Sequence, residues 1–501
     1  MKVGDYVTKQ RVVKNGKTIT DKIVVSTTGV EYAIGPKFNS GGVAPVYRAY
    51  RVKDKKKCVF KEYVPSNKPE IMLIHRAIKK NIKSLIEKPI MESDHKTKLK
   101  SFVGPMDNVS LIELPESKGF GYIMELVDTK TFLSIPKIRH SKETYPDAKC
   151  LCKAFKNIAD FFRNVHFMGW CYKDINEGNI YINPKTGDIK IIDCDNISPQ
   201  SVKTVFGTFD YLAPEVYITE TPDTYTDYFS MAVLFYRILI GGFPLDGKKT
   251  KEYLLKTNSS VKDSAHIIYG SQALFAFDPI DKSNSIYRLE DKDNPNLYKL
   301  QAKKWDNLPE CVKNAFIQTF STGLKIDNKH KRFKDKDWSS LFEELETNGL
   351  VKCKCGKYNF GSSTKENTCY YCGKKLPKIT IPQKKQTSPI VQNTPNSKEL
   401  LSVVLKVKRD VAPTNFSVEI KRKEQLVGND IYPGLCDNWT RLEYSQAKNL
   451  LSLINLTNYT WIITDNGKNI ECKPNERLIL KKNLIITILR RQLQITVSET
   501  K

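Results

Sequence analysis

The spacing of apolar residues changes several times along the chain, and each change predicts a different element. Residues 1–33 carry alternating β-branched positions, as in Lys22-Ile23-Val24-Val25-Ser26, with Asn15-Gly16 between two such runs. Alternation puts one face of a strand inward and Asn-Gly favours a tight turn, so a hairpin is expected here. Cys58-Val59-Phe60-Lys61-Glu62-Tyr63 reads as a further strand. From Pro69 onward, Ile71, Ile74, Ile78, Ile82 and Leu85 recur at three- and four-residue steps, which predicts an amphipathic helix. Gly121 to Val127 is a strand pattern, and Leu151 to Met168 is a helix closed by Gly169 as its C-terminal cap. Ile189-Lys190-Ile191-Ile192-Asp193 is a short apolar run with an acid at its tip.

Beyond residue 245 the pattern weakens. Residues 246–304 are polar and rich in Lys, Asp and Asn, too long for an ordinary connection, with one apolar cluster at Ala273 to Phe277. Residues 377–399 contain four prolines among Ser, Thr, Asn and Gln and read as a linker. From about 400, short alternating runs (Ser402 to Leu405, Phe416 to Ile420, Trp461 to Ile463, Leu478 to Leu480, Leu484 to Ile488) predict a small all-β sandwich.

Chemistry enters with three stretches. Cys171 to Asn179 holds Asp174 and, five positions on, Asn179. The aspartate can accept a hydroxyl proton, and the amide oxygen can hold a divalent cation. Alone, this spacing is common in loops. It is followed by Asp193 at the end of its strand, and then by Gly207-Thr208-Phe209-Asp210-Tyr211-Leu212-Ala213-Pro214-Glu215. In this order the three elements resemble the catalytic loop, the metal-binding strand end and the activation-segment close of a eukaryotic-type Ser/Thr protein kinase as found in microbes.

The resemblance covers roughly residues 30–346 and implies an α+β, two-lobed protein-kinase fold. Expected boundaries are an N-terminal hairpin extension at 1–33 and a kinase domain at 34–346, with an N-lobe at 34–124, a C-lobe at 125–346 and the insertion at 246–304. A zinc ribbon at 351–376, the linker at 377–399 and the β-sandwich at 400–501 follow. The sandwich faintly resembles a forkhead-associated domain around Gly428-Asn429-Asp430 and Asn455-Leu456-Thr457, without that family's phosphothreonine-reading residues.

The resemblance also implies roles. Gly41, Gly42, Ala44 and Val46 belong to the loop that covers the ATP phosphates, Lys61 pairs the α- and β-phosphates, and Glu70 of the helix is its partner. Glu125 and Val127 lie in the hinge that holds adenine, next to Met124. Asp174 is the catalytic aspartate, and Asn179 and Asp193 hold magnesium. Asp227 ties down the catalytic loop. Departures from the family pattern are Asn39 and Ala44 for two loop glycines, Lys173 for the usual arginine, Asn176 for a lysine, and Asp195 for the glycine of D-F-G.

Cys353-Lys354-Cys355-Gly356 and Cys369-Tyr370-Tyr371-Cys372-Gly373 form two knuckles whose four thiolates can close a structural zinc site. The cofactors expected are thus ATP, Mg and structural Zn. The net charge of +26 would suit nucleic acid, but the lysines are spread along the chain, so a solvated surface is favoured over a nucleic-acid partner. Protein substrates are expected, with a protein partner on the C-terminal β domain. Met1 to Asp5 opens no apolar signal region, and the most apolar stretch, Met231 to Ile240, is short and broken by Arg237, so no membrane span and a cytoplasmic location are expected. Two rivals to a kinase remain: a pseudokinase scaffold that binds ATP, and a basic nucleic-acid adaptor. Autophosphorylation, if the kinase is active, is expected at Ser201 or Thr204, within reach of Lys173.

Overall fold

In the computed structural model, Lys61 lies in the middle of a seven-stranded antiparallel sheet that organises the N-terminal part of the chain. Its strands are β1 (Tyr6–Val12), β2 (Thr18–Val25), β3 (Glu31–Ser40), β4 (Pro45–Arg51) and β5 (Lys57–Tyr63). After helix α1 (Pro69–Glu87) and a short β6 (Phe102–Val103) come β7 (Leu111–Glu113) and β8 (Phe120–Glu125), and the strand order is β1-β2-β3-β4-β5-β8-β7. The structure describes residues 6–12, 18–40, 44–87, 90, 99–105, 111–113, 119–199, 207–219, 222–258, 260–288, 297–361, 368–377, 403–409, 415–420, 424–426, 431, 439–445, 450–457, 460–465, 468–480, 484–488 and 491–499.

Asn15 and Gly16 lie outside the described residues, but the first two strands pair antiparallel, with Val12 opposite Thr18, so the expected hairpin forms. They are not a separate extension, however. β2 pairs with β3 from Val25 opposite Glu31 to Lys22 opposite Ile34, and Ile23, Val24 and Val25 are all buried. Three consecutive buried β-branched residues need cover on both faces of the strand, which a free hairpin cannot supply.

The chain divides into two compact units, Met1–Phe162 with Cys171–Ser198 and Val202–Ile381, and Arg163–Trp170 with Pro199–Ser201 and Pro382–Lys501. The first unit has a helical core built on helix Thr224–Leu239, which is buried at nearly every position. Asp223 starts that helix with a capping box, its carboxylate accepting from the Thr226 amide at 3.0 Å while Thr226 Oγ1 accepts from the Asp223 amide at 3.1 Å. Phe235 packs on Phe155 at 4.6 Å and on Trp338 at 5.2 Å between ring centroids. Such pairs contribute about 0.5–1.5 kcal/mol each beyond the area they bury.

The polar stretch 246–304 is more ordered than its composition suggests. It contains helices Lys248–Thr257, Val261–Ala265 and most of Leu297–Asp306. The predicted apolar cluster is its anchor, with Phe275 and Phe277 buried and Phe277 stacked on Trp305 at 4.4 Å. The polar residues between supply solvent-facing sides of short helices, which is why composition alone reads as loop.

In the second unit, strands Val403–Arg409, Asn415–Ile420, Arg491–Glu499, Leu484–Ile488, Trp461–Asp465 and Lys468–Cys472 form one sheet. Glu424–Leu426, Thr440–Ser445, Leu450–Asn455 and Arg477–Ile479 form another. Leu405, Ile486 and Ile495 from the first sheet share one core with Leu442 and Leu453 from the second, around Trp439 and Trp461. Gly428, Asn429 and Asp430 lie outside the described residues. Asn455 and Thr457 are buried and bonded internally: Asn455 Oδ1 accepts from the Thr457 amide at 3.0 Å, and Thr457 Oγ1 accepts from Trp461 Nε1 at 3.1 Å.

One long-range contact fixes the segment after the catalytic region. Arg332 donates to both oxygens of Glu215, at 2.6 and 2.7 Å, and both side chains are fully buried. Removing one partner strands the other's charge, whereas removing both does not. Arg332→Met is therefore expected to lower stability by about 3–5 kcal/mol, with Arg332→Met/Glu215→Leu recovering most of the loss. Thermal unfolding of the single and double variants checks this.

Candidate active site

Lys61 is held from both sides, because its backbone pairs with Val46 on β4 and with Tyr122 on β8. The side chain is buried, and a buried ammonium must be compensated by acceptors. It donates to Asp193 Oδ1 at 2.9 Å and to Asp195 Oδ2 at 2.6 Å. Asp195 also accepts from Tyr122 OH at 2.9 Å and from Tyr63 OH. Burial pulls the Lys61 pKa down, but the charges of Asp195 and Asp193 outweigh it and leave the ammonium above its ordinary range. For Asp195, burial works upward while Lys61 and the two tyrosine hydroxyls hold the carboxyl below its usual value. Asp193 is pushed up by burial and by the neighbouring Asp195 charge, against the pull of Lys61.

Glu70 does not take part. It is exposed in the first turn of α1, and the expected Glu70–Lys61 pair is replaced by the two aspartates. The reason is steric placement: the inward face of α1 carries His75, Ile78, Asn81, Ile82 and Leu85, roughly one to four turns beyond Glu70.

Asp174 sits on a loop whose backbone is clamped from below. The amides of Tyr172 and Lys173 donate to Asp227 Oδ2 and Oδ1 at 2.6 and 2.9 Å, tying the loop to the buried helix. That clamp supports Lys173 at φ 67°, and Asp193 likewise sits at φ 64°, conformations that cost a non-glycine residue about 1–3 kcal/mol. Asn179 Nδ2 donates to the Asp174 carbonyl at 3.0 Å and to its Oδ2 at 3.2 Å, and Asn176 Nδ2 reaches Oδ1 at 3.0 Å. Thr208 closes the site from the other end of the segment, its amide and hydroxyl both donating to Asp174 Oδ1 at 2.8 Å. Burial raises the Asp174 pKa, with these donors partly restraining the rise.

Both candidate metal ligands suit a hard cation. Asn179 spends its amide nitrogen on Asp174, which leaves its oxygen as a possible ligand, and Asp193 is about one third exposed (34%) with only Oδ1 engaged by Lys61. Ala44 and Val46 are buried at the start of β4, while Gly41 and Gly42 lie outside the described residues. Met124 is buried at the end of β8; Glu125 after it is exposed and pairs with Lys190 at 3.2 Å, and Val127 is half-buried. Lys173 Nζ donates to Ser198 Oγ at 2.7 Å, both groups being buried; Ser201 and Thr204 lie outside the described residues.

The sequence reasoning missed the roles of Asp195, Tyr63 and Tyr122. A signal was available: Tyr63 is two residues past Lys61, hence on the same face of its strand, and Asp195 is a charge where the family pattern has none.

The four cysteines also converge. Cys353, Cys355, Cys369 and Cys372 have their sulfurs within 4.8 Å of one another, with Cys353–Cys372 at 3.5 Å and Cys355–Cys369 at 3.7 Å. Four sulfurs about 2.3 Å from one ion in a tetrahedron lie roughly 3.8 Å apart, so the set fits zinc. Gly356 and Gly373 follow the two pairs at φ 88° and 71°, their amides donating to the carbonyls of Cys353 and Cys369. These left-handed turns are what glycine permits. The hairpin Leu350–Lys352 with Tyr358–Phe360 carries the first pair, and Tyr371 OH, next to the second, donates to the Pro146 carbonyl at 2.8 Å.

Comparison with known proteins adds family context. The family described as protein kinase domain matches residues 32–287, just over half of the chain. The serine/threonine-protein kinase pkn2 of Myxococcus xanthus is 28% identical over 110 residues, covering 20% of this chain and 13% of that protein. Smooth-muscle myosin light chain kinase of Gallus gallus is 26% identical over 190 residues, covering 37% of this chain and 9% of that protein. cGMP-dependent protein kinase 2 of Mus musculus is 30% identical over 94 residues, covering 18% and 12%. The chain thus matches only a small part of the length of these relatives. Among solved structures, the autoinhibited serine kinase domain of the giant muscle protein titin aligns with a TM-score of 0.42 at 14% identity, covering 62% of this chain and 78% of that one.

The Asp227 clamp yields a direct expectation. Asp227→Ala leaves two buried amides without an acceptor, and hydrogen bonds to a charged group are worth about 1.5–3 kcal/mol each. Hydrogen exchange read on peptides spanning Tyr172 and Lys173 should speed up together with a fall in melting temperature, whereas unchanged exchange would mean that the clamp does not hold the loop.

Proposed function

This chain belongs to the protein kinase family, and on that premise we propose that it transfers the γ-phosphoryl group of ATP to serine or threonine hydroxyls of proteins. The observation that carries this is the convergence, from stretches far apart in sequence, of Lys61 with Asp193 and of Thr208 with the loop on which Asp174 and Asn179 are bonded to each other. Phosphoryl transfer asks a protein mainly for positioning and for charge opposite the phosphates. Lys61 supplies a fixed positive charge. Asp174, held by three side chains and a backbone amide, would orient the attacking hydroxyl and take its proton. Asn179 and Asp193 would hold magnesium, whose contribution when bound is to neutralise the phosphate oxygens.

The Cys353, Cys355, Cys369 and Cys372 set we read as a structural zinc site, since a closed four-thiolate shell leaves no open position for chemistry. Asn359 supports it by donating from Nδ2 to Cys369 Sγ at 3.5 Å. Burial pushes the Cys369 thiol up, and the N–H groups of Cys372 and Tyr371 together with Asn359 outweigh that and leave it below its ordinary range. The two sheets of residues 403–499, packed through one core, support the reading as a β-sandwich. Among the described residues no helix is long and apolar enough to cross a membrane.

The rival is a scaffold that binds nucleotide without transfer, motivated by Lys173, Asn176 and Asp195. Two aspartates separate it from the kinase. Asp193→Asn should abolish magnesium-dependent ATP binding and transfer together. Asp174→Asn should keep nucleotide affinity while turnover falls by about 10²–10⁴, the range for general acid–base groups. Radiolabelled phosphate transfer to a generic basic protein, with calorimetric ATP titration, reads both. Equal transfer by Asp174→Asn would remove Asp174 from the chemistry, and no transfer by wild type would favour the scaffold.

For the cysteines, purified protein should carry one zinc per chain, lost in Cys369→Ser. Because Tyr371 and the Tyr358 amide are bonded to the Tyr145–Asp147 segment, metal loss should also loosen that segment, seen as faster hydrogen exchange at residues 145–150. Absence of zinc by metal analysis would end this assignment.

A further inference from the structure

We propose that Asp195, rather than a glutamate of helix α1, is the acidic positioning residue that holds Lys61 toward the nucleotide phosphates, an inference that rests on the nucleotide-site assignment above. Helix α1 has two glutamates, Glu70 and Glu87, and both are exposed at its ends. Its buried polar residues are His75 and Asn81. Neither can serve as a carboxylate partner. What α1 does contribute is Asn81 Nδ2, which donates to the Asp195 backbone carbonyl at 3.1 Å. The helix therefore steadies the residue that grips Lys61 instead of gripping Lys61 itself.

Asp195 is built for that task. It is 4% exposed, and its two oxygens are filled by Lys61 and Tyr63 on one side and Tyr122 on the other. The donors come from two neighbouring strands, β5 and β8, so the carboxylate is pinned to the same sheet that carries Lys61. A glycine at this position, the usual residue of the family motif, would leave the Tyr63 and Tyr122 hydroxyls and the ammonium short of an acceptor inside the protein.

Charge counting points the same way. Lys61 contributes one positive charge, and Asp193 and Asp195 one negative charge each. With Asp195 balancing Lys61, the charge of Asp193 is left over for a cation. An ammonium also has three hydrogens, of which two are engaged by the aspartates, so one remains for a phosphate oxygen. Because Asp195 lies two residues beyond Asp193, the lysine anchor and the metal-binding aspartate travel on one segment. Control of Lys61 then falls to the stretch 193–198, and α1 acts on it indirectly, through Asn81 and through His75, which packs edge-on against Tyr63 at 5.4 Å.

The test is a double-mutant cycle on binding of magnesium ATP by the full chain, measured calorimetrically. Asp195→Asn should weaken binding about tenfold, as expected for loss of one charge-assisted pair. Lys61→Met should weaken it at least as much, and adding Asp195→Asn to Lys61→Met should cost no more than a factor of about two, since the two act through one interaction. Glu70→Gln/Glu87→Gln should stay within about twofold of wild type. Tyr122→Phe, which retains the carboxylate and removes one of its donors, gives a smaller loss, about threefold, that also vanishes on the Lys61→Met background; it decides the matter if Asp195→Asn fails to fold. Additive losses, or a loss in Glu70→Gln/Glu87→Gln matching that of Asp195→Asn, would overturn the pairing while leaving the nucleotide site intact. Failure of the wild-type chain to bind magnesium ATP at all would overturn the nucleotide site and this inference with it.

Discussion

A buried ammonium is the constraint around which the catalytic region is arranged. Lys61 lies on an interior strand, away from solvent, and desolvating its charge would cost several kcal/mol were it left alone. Two aspartates distant in sequence, Asp193 and Asp195, compensate it, and the Tyr63 and Tyr122 hydroxyls donate to Asp195 and hold that carboxylate in place. The sheet and the helical part of the first unit are thereby joined at one charged point.

A second constraint is the conformation of the loop that carries Asp174. Two non-glycine residues, Lys173 and Asp193, are in left-handed backbone conformations, which are unfavourable unless the surroundings hold them. Asp227 does so for the first through the backbone amides of Tyr172 and Lys173. Thr208 and Arg332 complete the arrangement from the other side, Thr208 by capping Asp174 and Arg332 by fixing Glu215 a few residues later. Strain at the site is thus offset by contacts that a local view of the loop does not contain.

The cysteine module shows a different economy. Its core consists of Val351, Cys353, Cys369 and Leu376, too few residues to hold a fold by burial alone. The zinc proposed for its four cysteines would supply the missing stabilisation. Docking through Tyr371 and Tyr358 onto the Tyr145–Asp147 segment adds a second source that the cysteine spacing does not reveal.

Much of this was legible in the chain itself. Period-two alternation marked the N-terminal hairpin and the C-terminal strands, three-to-four periodicity marked α1, and fixed spacings marked Asp174, Asn179, Asp193 and the cysteine pairs, because backbone geometry repeats over a few residues and local chemistry imposes local spacing. The helices within 246–304 were hidden, since short helices with solvent-facing sides look like loop by composition. So was the continuity of the hairpin with the larger sheet, which is a matter of pairing between distant strands. The partner of Lys61 was misassigned to Glu70 for the same reason. Which of several carboxylates meets a buried ammonium depends on where a helix face and a distant strand end come together, and only the tertiary packing of α1, β5, β8 and the segment from Asp193 to Asp195 decided that Asp193 and Asp195, and not Glu70, meet Lys61.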